Sequence, residues 1–443
     1  MQMIENRNHI DLHEWTKLEP TEGSIGELFL ENDPLARKMA QDLSAKGMLH
    51  ITELRQGLSI RSTSFVGRIK LGDINISIRP KIKNAPLLKL IRYAYGLRDL
   101  QLFFPTEYGV ESKNFQDLLI TQLAAEADEL ISRGLHRKYT REDGNIISPK
   151  GKINIQKIAK EGGIRHASLP CTYYPRLENC LINQFLAEGL RLGACITEDI
   201  LLISRLRRLI VLIQDSSSSV ELNRYTIKRL HREMDRLTAA YRPAINIIEI
   251  LFQLKGVSLE DIGGLKLPGF LFDMNKFFQA LLSRFLRENL PGYVIQDNYR
   301  LSGMISYVQN PRNRPDPSLQ PDYVIQKEKG SEIVSVLDAK YRDLWIEPLP
   351  SEMLYQLAIY ALSPISGGTA TILYPTIDPE AEEARININD PIHERNYAKV
   401  VLRPVNLDKL AYLISHENAV QERVEYARWL ALNGVNPSEW TMS

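Results

Sequence analysis

Residues 321–341 read Pro-Asp-Tyr-Val-Ile, then a charged turn, then Ser-Val-Leu-Asp-Ala-Lys-Tyr. Two short β-branched runs, 323–325 and 333–337, flank the turn-prone Lys327-Glu328-Lys329-Gly330, which predicts a hairpin or adjacent strand pair. Side chains alternate along a strand, so Asp338 and Lys340 share one face while Leu337, Ala339 and Tyr341 take the other. Asp322, at the mouth of the preceding strand, is placed to face them. Two carboxylates suit a hard, oxygen-seeking cation such as Mg²⁺, which keeps several waters and bridges to phosphate oxygens. An ammonium beside them can orient a water or offset charge gathering on phosphate. The trio is a candidate centre for phosphodiester hydrolysis.

An acid-x-Lys triplet alone carries little weight, since roughly one or two arise by chance in a chain of this length. Glu111-Ser112-Lys113 is a second copy; it lacks an upstream Pro-Asp and reads as a surface charge cluster. Pro315-Asp316 competes with Pro321-Asp322, but Pro317 follows it in a loop rich in Asn, Pro and Arg where no strand begins. The bland reading of the trio is a solvated sheet edge, and the neighbouring elements weigh against it. Downstream, Ser351 is expected to cap a helix over 352–362 that stops at Ser363-Pro364, with Gln356 and Tyr360 one turn apart. Upstream, Asp273 is placed to cap a helix whose Met274, Phe277, Phe278, Leu281, Leu282, Phe285 and Leu286 recur at helical spacing. The order is helix, strand (293–296), strand, strand, helix, strand (369–374): a mixed α/β layer with the acids at one end.

This order resembles the PD-(D/E)xK nuclease superfamily, and Gln356-x-x-x-Tyr360 resembles its RecB-like branch. More narrowly, Phe270-Leu271-Phe272-Asp273-Met274-Asn275-Lys276-Phe277-Phe278, with Pro321-Asp322, Asp338-Ala339-Lys340-Tyr341 and Tyr355-Gln356-Leu357, is similar to the McrC family, the endonuclease subunits of modification-dependent McrBC restriction systems. The resemblance implies that Asp322, Asp338 and Ala339 form the Mg²⁺ set, that Lys340 serves the attacking water, and that Gln356 and Tyr360 support the site or the DNA backbone. Where members often carry Glu after the aromatic pair, this chain has Gln279; its amide oxygen can accept but brings no charge, so no direct metal role is expected.

The 443 residues exceed one ordinary core and predict two or three domains. Hydrophobic content of 44% and charged content of 25% fit a soluble globular protein. No apolar run approaches the about twenty residues of a membrane span, and the opening is not a signal sequence, so a cytoplasmic protein is expected. Cys171, Cys180 and Cys195 lack CxxC spacing and pair with no histidine in a zinc-like pattern. A net charge of +1 argues against a free-standing, strongly basic DNA binder. Grip on double-stranded DNA must come from a local patch or a partner, with Arg284, Arg287, Arg312 and Arg314 as candidates, each otherwise an ordinary solvated charge.

Along the chain, 50–82 alternates as short strands, best seen at Ile74, Ile76 and Ile78, and a helix is expected over 86–97 with Gly96 near its end. Ile78-x-Pro80-Lys81-Ile82 and this helix also look like the McrC amino-terminal region. A helix over 115–131 precedes an expected hairpin turned at Asp143-Gly144-Asn145. The basic cluster His136, Arg137, Lys138 and Arg141 suits phosphate or an acidic partner, or plain solvation. Pro149-Lys150-Gly151-Lys152 lacks phosphate-loop spacing, so nucleotide hydrolysis is assigned to another subunit. Helices are expected over 177–190, 197–213 and 220–254, with a break at the 216–219 serine run and a domain boundary within 256–269. After an exposed acidic loop at 378–383 come a closing strand at 400–405 and helices over 407–413 and 417–432.

The expected architecture is therefore multidomain α/β: a β-rich, motor-binding module (1–110), a mainly helical connector (111–262) and a PD-(D/E)xK nuclease domain (263–443). The leading functional reading is a Mg²⁺-dependent DNA endonuclease subunit that binds a McrB-like, GTP-hydrolysing AAA+ translocase and stimulates its GTPase. Two others are a stand-alone RecB-like repair nuclease and a non-catalytic adaptor of a motor.

Overall fold

The alternating Ile74, Ile76 and Ile78 are buried on the strand Ile74–Arg79, which pairs antiparallel with Phe65–Leu71. This computed structural model describes residues 9–20, 30, 33–82, 84–97, 115–160, 163–164, 167–214, 219–256, 269–301, 304–329, 332–389 and 396–432. The chain divides into two compact units, one of residues 1–97, 106–115 and 261–443, the other of 98–105 and 116–260. The first and third expected segments thus belong to one unit. The reason is a strand that sequence reading took only as the lead-in to a helix: Gly269–Asp273 pairs with Phe65–Leu71 and completes the sheet His9–His13, Ile74–Arg79, Phe65–Leu71, Gly269–Asp273. Most of the expected boundary at 256–269, most of the serine run and the Glu111-Ser112-Lys113 triplet lie outside the described residues.

A second small sheet joins Lys17–Leu18, Gly57–Ser62 and Leu49–Leu54. The helix Pro34–Ala45, absent from the sequence reading, packs beside it under a cap from Asp33, whose carboxylate accepts from the Leu35 and Ala36 amides. The helix Asn84–Tyr95 ends as expected at Gly96, held at φ 65°, where glycine avoids the Cβ clash of the left-handed region.

In the other unit, Asp143-Gly144-Asn145 makes no turn. It lies within the strand Glu142–Ile146 and pairs with Leu169–Tyr173, while Lys138–Tyr139 pairs separately with Arg176–Leu177. The helix expected over 220–254 is two, Arg224–Glu233 and Arg242–Gly256. Asp235 breaks it by accepting from the Leu237 and Thr238 amides, a local bond that competes with helix continuation. The basic cluster is paired within the unit: Arg137 with Glu178 at 2.8 Å, Lys138 with Glu233 at 3.0 Å and Arg141 with Asp143 at 3.3 Å. Among the described residues no helix is long and apolar enough to cross a membrane.

The carboxy-terminal domain is built on a six-stranded mixed sheet in the order Tyr293–Asp297, Tyr323–Lys327, Ile333–Ala339, Thr369–Thr376, Asn396–Asn406, Ala384–Asn389. Ile333–Ala339 and Thr369–Thr376 are parallel and joined through the helix Ser351–Ala361, a βαβ crossover. Leu357 and Tyr360 of that helix pack into a cluster with Val324, Val336, Ile372 and Val400. The helix Met274–Asn289, capped by Asp273 as expected, buries its Phe-rich stripe elsewhere in the domain, with Phe278 edge-on to Tyr341. Ser351 is the first helical residue and not the cap; the cap position is Pro350, which makes no side-chain bond. The expected closing strand is Asn396–Asn406, one position in from the edge, which is formed by the unexpected Ala384–Asn389.

Candidate active site

Register brings the two carboxylates together. Tyr323 pairs with Leu337 across the antiparallel strands, and one further step sets Asp322 opposite Asp338. Lys340 reaches both: its Nζ lies 3.0 Å from Asp338 Oδ2 and 3.7 Å from Asp322 Oδ2. The two acids are held differently. Asp322 Oδ1 accepts from Gln279 Nε2 at 2.9 Å and Oδ2 from the Ala339 amide at 2.8 Å. Asp338 is 2% exposed, and its Oδ1 has no hydrogen-bond partner. Burial, then the charge on Asp322, raises the Asp338 pKa above that of an ordinary aspartate. Burial opposes the Lys340 ammonium, yet the Asp338 and Asp322 charges outweigh it and raise the Lys340 pKa.

An orphaned, buried carboxylate oxygen beside a second carboxylate fits a hard divalent cation, which takes one or two protein carboxylates and fills its shell with water and phosphate oxygens. Among the described residues no group of three or more His, Cys, Asp or Glu is arranged to hold a metal ion, and Asp322 and Asp338 are the two carboxylates that could share one here. Ala339 enters through its backbone, its amide fixing Asp322. Gln356 and Tyr360 work from behind: Gln356 Nε2 donates to the Tyr360 hydroxyl at 2.6 Å, and that hydroxyl donates at 3.0 Å to the carbonyl of Gln320, two residues before Asp322. On the other flank the Tyr323 hydroxyl donates to the Gln279 carbonyl at 2.6 Å. A cavity of about 510 Å³ opens beside Asp322, lined by Gln279, Ser283, Arg284, Arg287 and Asp297.

The profile of the McrBC 5-methylcytosine restriction system component family matches residues 60–375, most of the chain. The chain belongs to this family. No curated protein matches it. Among solved structures, it is similar to a refined half-complex from the tetradecameric assembly of Thermococcus gammatolerans McrB AAA+ hexamers with bound McrC, at 19% identity and a TM-score of 0.62, covering 94% of this chain and 99% of that one. A second similarity is to the Thermococcus gammatolerans McrBC complex, at 18% identity and a TM-score of 0.43, covering 63% of this chain and 88% of that one. At such identities the first match speaks for a shared fold, and it agrees with the McrC resemblance read from the motifs.

In this McrBC-family chain the expected arginines separate into two places. Arg284 and Arg287 line the cavity beside Asp322, but both are engaged: Arg284 with Glu288 at 2.7 Å, the Tyr93 carbonyl and the Tyr93 ring, Arg287 with Asp297 at 2.6 Å. Arg312 and Arg314 are exposed on the loop before Asp322 and do not line that cavity.

Sequence reading missed Glu14 and Trp15 and gave no role of its own to Asn275, taken only as part of the run 270–278; all three meet Tyr341, the residue after Lys340. The Tyr341 hydroxyl donates to Glu14 Oε1 at 3.0 Å, the Trp15 indole donates to the Tyr341 carbonyl at 3.0 Å, and the Tyr341 amide donates to Asn275 Oδ1 at 2.9 Å. No signal in the polar start of the chain marks Glu14 or Trp15, since their partner lies 327 and 326 positions away.

Glu14 is 1% exposed, and burial pushes its pKa up from 4.5 to about 7 against the lowering influence of the Lys81 amide, the Tyr341 hydroxyl and the Lys81 charge. A carboxyl whose folded pKa exceeds its unfolded one contributes stability that is complete below the unfolded value and lost as pH climbs through the folded value. Between those two values the parent is expected to lose about 3 kcal/mol relative to Glu14→Gln. The melting-temperature gap between the two should widen in the variant's favour from about pH 5 to about pH 8. A gap that stays constant across that range removes Glu14 from the pH response.

Proposed function

We propose that this McrBC-family chain is the Mg²⁺-dependent DNA endonuclease subunit of a two-component restriction complex, with a PD-(D/E)xK nuclease domain at 263–443. The observation that carries the reading is the convergence of Asp322, Asp338 and Lys340, with Asp338 Oδ1 buried and unpartnered. Bound there, a divalent cation supplies Lewis acidity toward a phosphate oxygen and a more acidic water. The chain's own groups do the rest. Gln279 and the Ala339 amide keep both Asp322 oxygens aimed, while Gln356 and Tyr360 fix the backbone that leads into Asp322. The Lys340 ammonium, kept charged by its two neighbours, holds the carboxylates together and stands where it can hydrogen-bond an oxygen that is gaining charge. Arg284 and Arg287 would flank a DNA backbone lying in the cavity beside Asp322, and Arg312 and Arg314 would meet it from the preceding loop.

The partner is a McrB-like, GTP-hydrolysing AAA+ motor whose GTPase this subunit stimulates through its amino-terminal module, and the pair acts in the cytoplasm. Support comes from the similar fold in the Thermococcus gammatolerans assembly of McrB AAA+ hexamers with bound McrC, and from the family's association with 5-methylcytosine restriction. The chain, its motor, GTP, Mg²⁺ and a methylcytosine-bearing duplex should together yield double-strand cuts. Omitting the chain should stop cutting while basal GTP hydrolysis continues, and chelation reversed by added Mg²⁺ should stop and restart cutting. Cutting by the chain alone would favour the stand-alone nuclease. Stimulated GTP hydrolysis with intact DNA under every condition would favour the adaptor.

A further inference from the structure

Every polar group of Tyr341 is gripped from outside the nuclease sheet. Its hydroxyl, carbonyl and amide meet Glu14, Trp15 and Asn275 respectively. Each gripping residue is itself anchored. Glu14 Oε1 also accepts from the Lys81 amide at 2.8 Å, which ties in the Pro80-Lys81 turn of the amino-terminal sheet, while Glu14 Oε2 is buried without a partner. Asn275 Nδ2 donates to Ser64 Oγ at 2.7 Å, and the Met274 amide donates to the Ser64 carbonyl at 3.0 Å. Trp15 sits at φ 57°, a backbone region costly for a bulky side chain, and is held there by its amide bond to the Thr63 carbonyl at 3.3 Å. Arg342 lies over its ring, 5.4 Å from the centroid. A buried carboxylate with an orphan oxygen and a strained tryptophan are both unfavourable alone, and both converge on Tyr341, two residues past the end of the strand Ile333–Ala339.

We propose that Glu14, Trp15 and Asn275 form a positioning clamp on Tyr341, through which the amino-terminal module sets Lys340 and Ala339 in the nuclease centre. The inference rests on the nuclease reading and adds to it: the motor-facing module is part of the catalytic scaffold. Lys340 and Tyr341 are consecutive, so a strand end released at Tyr341 lets the Lys340 ammonium leave its place between the carboxylates. The same release loosens the Ala339 amide that aims Asp322. None of the three clamp residues is required to touch DNA or metal. They are positioning residues.

Two conservative variants test this. Trp15→Phe removes the indole donor and keeps an aromatic ring under Arg342; Tyr341→Phe removes only the bond to Glu14. In the complex with motor, GTP and Mg²⁺, each is expected to lower kcat for cleavage by about 10–100-fold, the range for groups that orient metal-site residues, with KM for DNA unchanged. Calorimetric titration of the chain alone with Mg²⁺ should show weaker binding in both, while melting temperature and stimulated GTP hydrolysis stay near parental. In a Lys340→Ala background the same substitutions should lower the residual rate by clearly less than in the parent, because one of the two groups they position is gone while the Ala339 amide on Asp322 remains. Parental kcat and Mg²⁺ affinity in both variants would overturn the clamp, as would an undiminished further loss in the Lys340→Ala background. If the parental chain itself binds no Mg²⁺ and leaves DNA intact in the full complex, the nuclease reading falls and takes the clamp's role with it.

Discussion

Under the proposed nuclease reading, Asp338→Ala is expected to abolish DNA cleavage, with a loss of about a thousandfold. Partner binding and any stimulation of partner GTP hydrolysis are expected to remain, because Asp338 is 2% exposed within the six-stranded sheet and presents almost no surface to a partner. Stability moves the other way from activity. Asp338 is destabilised as an anion by burial and by Asp322, and its Oδ1 receives no donor. Asp338→Asn, close to isosteric, should therefore melt no lower than the parent in metal-free buffer while being equally inactive, the signature of a group kept for chemistry at some cost in stability. Cleavage within tenfold of parental by either variant, or loss of GTPase stimulation alongside cleavage, would contradict this separation of roles.

Arg403→Ala is expected to produce the largest loss of stability in the domain. The guanidinium is 2% exposed, pairs with Glu383 at 2.6 Å and donates to the carbonyls of Trp429, Leu430 and Leu432 at 2.6, 3.1 and 3.2 Å. Those carbonyls close the helix Val420–Ala431, whose last turn has no further helical amides to bond. One side chain thus caps that helix and ties it to the strand Asn396–Asn406. Removing one member of a buried ion pair costs about 3–5 kcal/mol, because the remaining charge and the uncapped carbonyls lose their partner together. At a few degrees per kcal/mol, a fall in melting temperature of about 10 °C is expected. Arg403→Met with Glu383→Leu should recover part of it by removing the stranded carboxylate. A loss below about 1 kcal/mol in the single variant would place the capping of this helix elsewhere.

The strands that carry Asp322 and Asp338 were legible because their physics is local. Alternation fixes which face Asp338 and Lys340 share, whereas the exact position of Asp322 opposite Asp338 depends on a register shift between Ile325 and Gln326 that turn length alone does not reveal. The Phe-rich helix and its Asp273 cap were legible for the same reason, a repeat of three to four residues under a strong capping side chain. What stayed hidden depends on distant partners. Ala384–Asn389 is a mostly exposed edge strand whose Ile386-x-Ile388 alternation is a short strand signal that sequence reading did not use, and it is confirmed by pairing to Asn396–Asn406. Asp143-Gly144-Asn145 has the composition of a turn, yet pairing with Leu169–Tyr173 keeps it extended. Glu14 and Trp15 sit in an unremarkable polar segment and acquire a role only when Tyr341 arrives.

The sheet that accepts Gly269–Asp273 has a consequence for how this protein is made. Its first three strands emerge early from the ribosome, but Phe65–Leu71 remains an open edge until roughly two hundred more residues have been translated, an interval in which unpaired amides and carbonyls invite mispairing with other nascent chains. Biogenesis should therefore be most sensitive to chaperone supply and translation speed across the inserted middle segment, long after the chain's own beginning has left the exit tunnel.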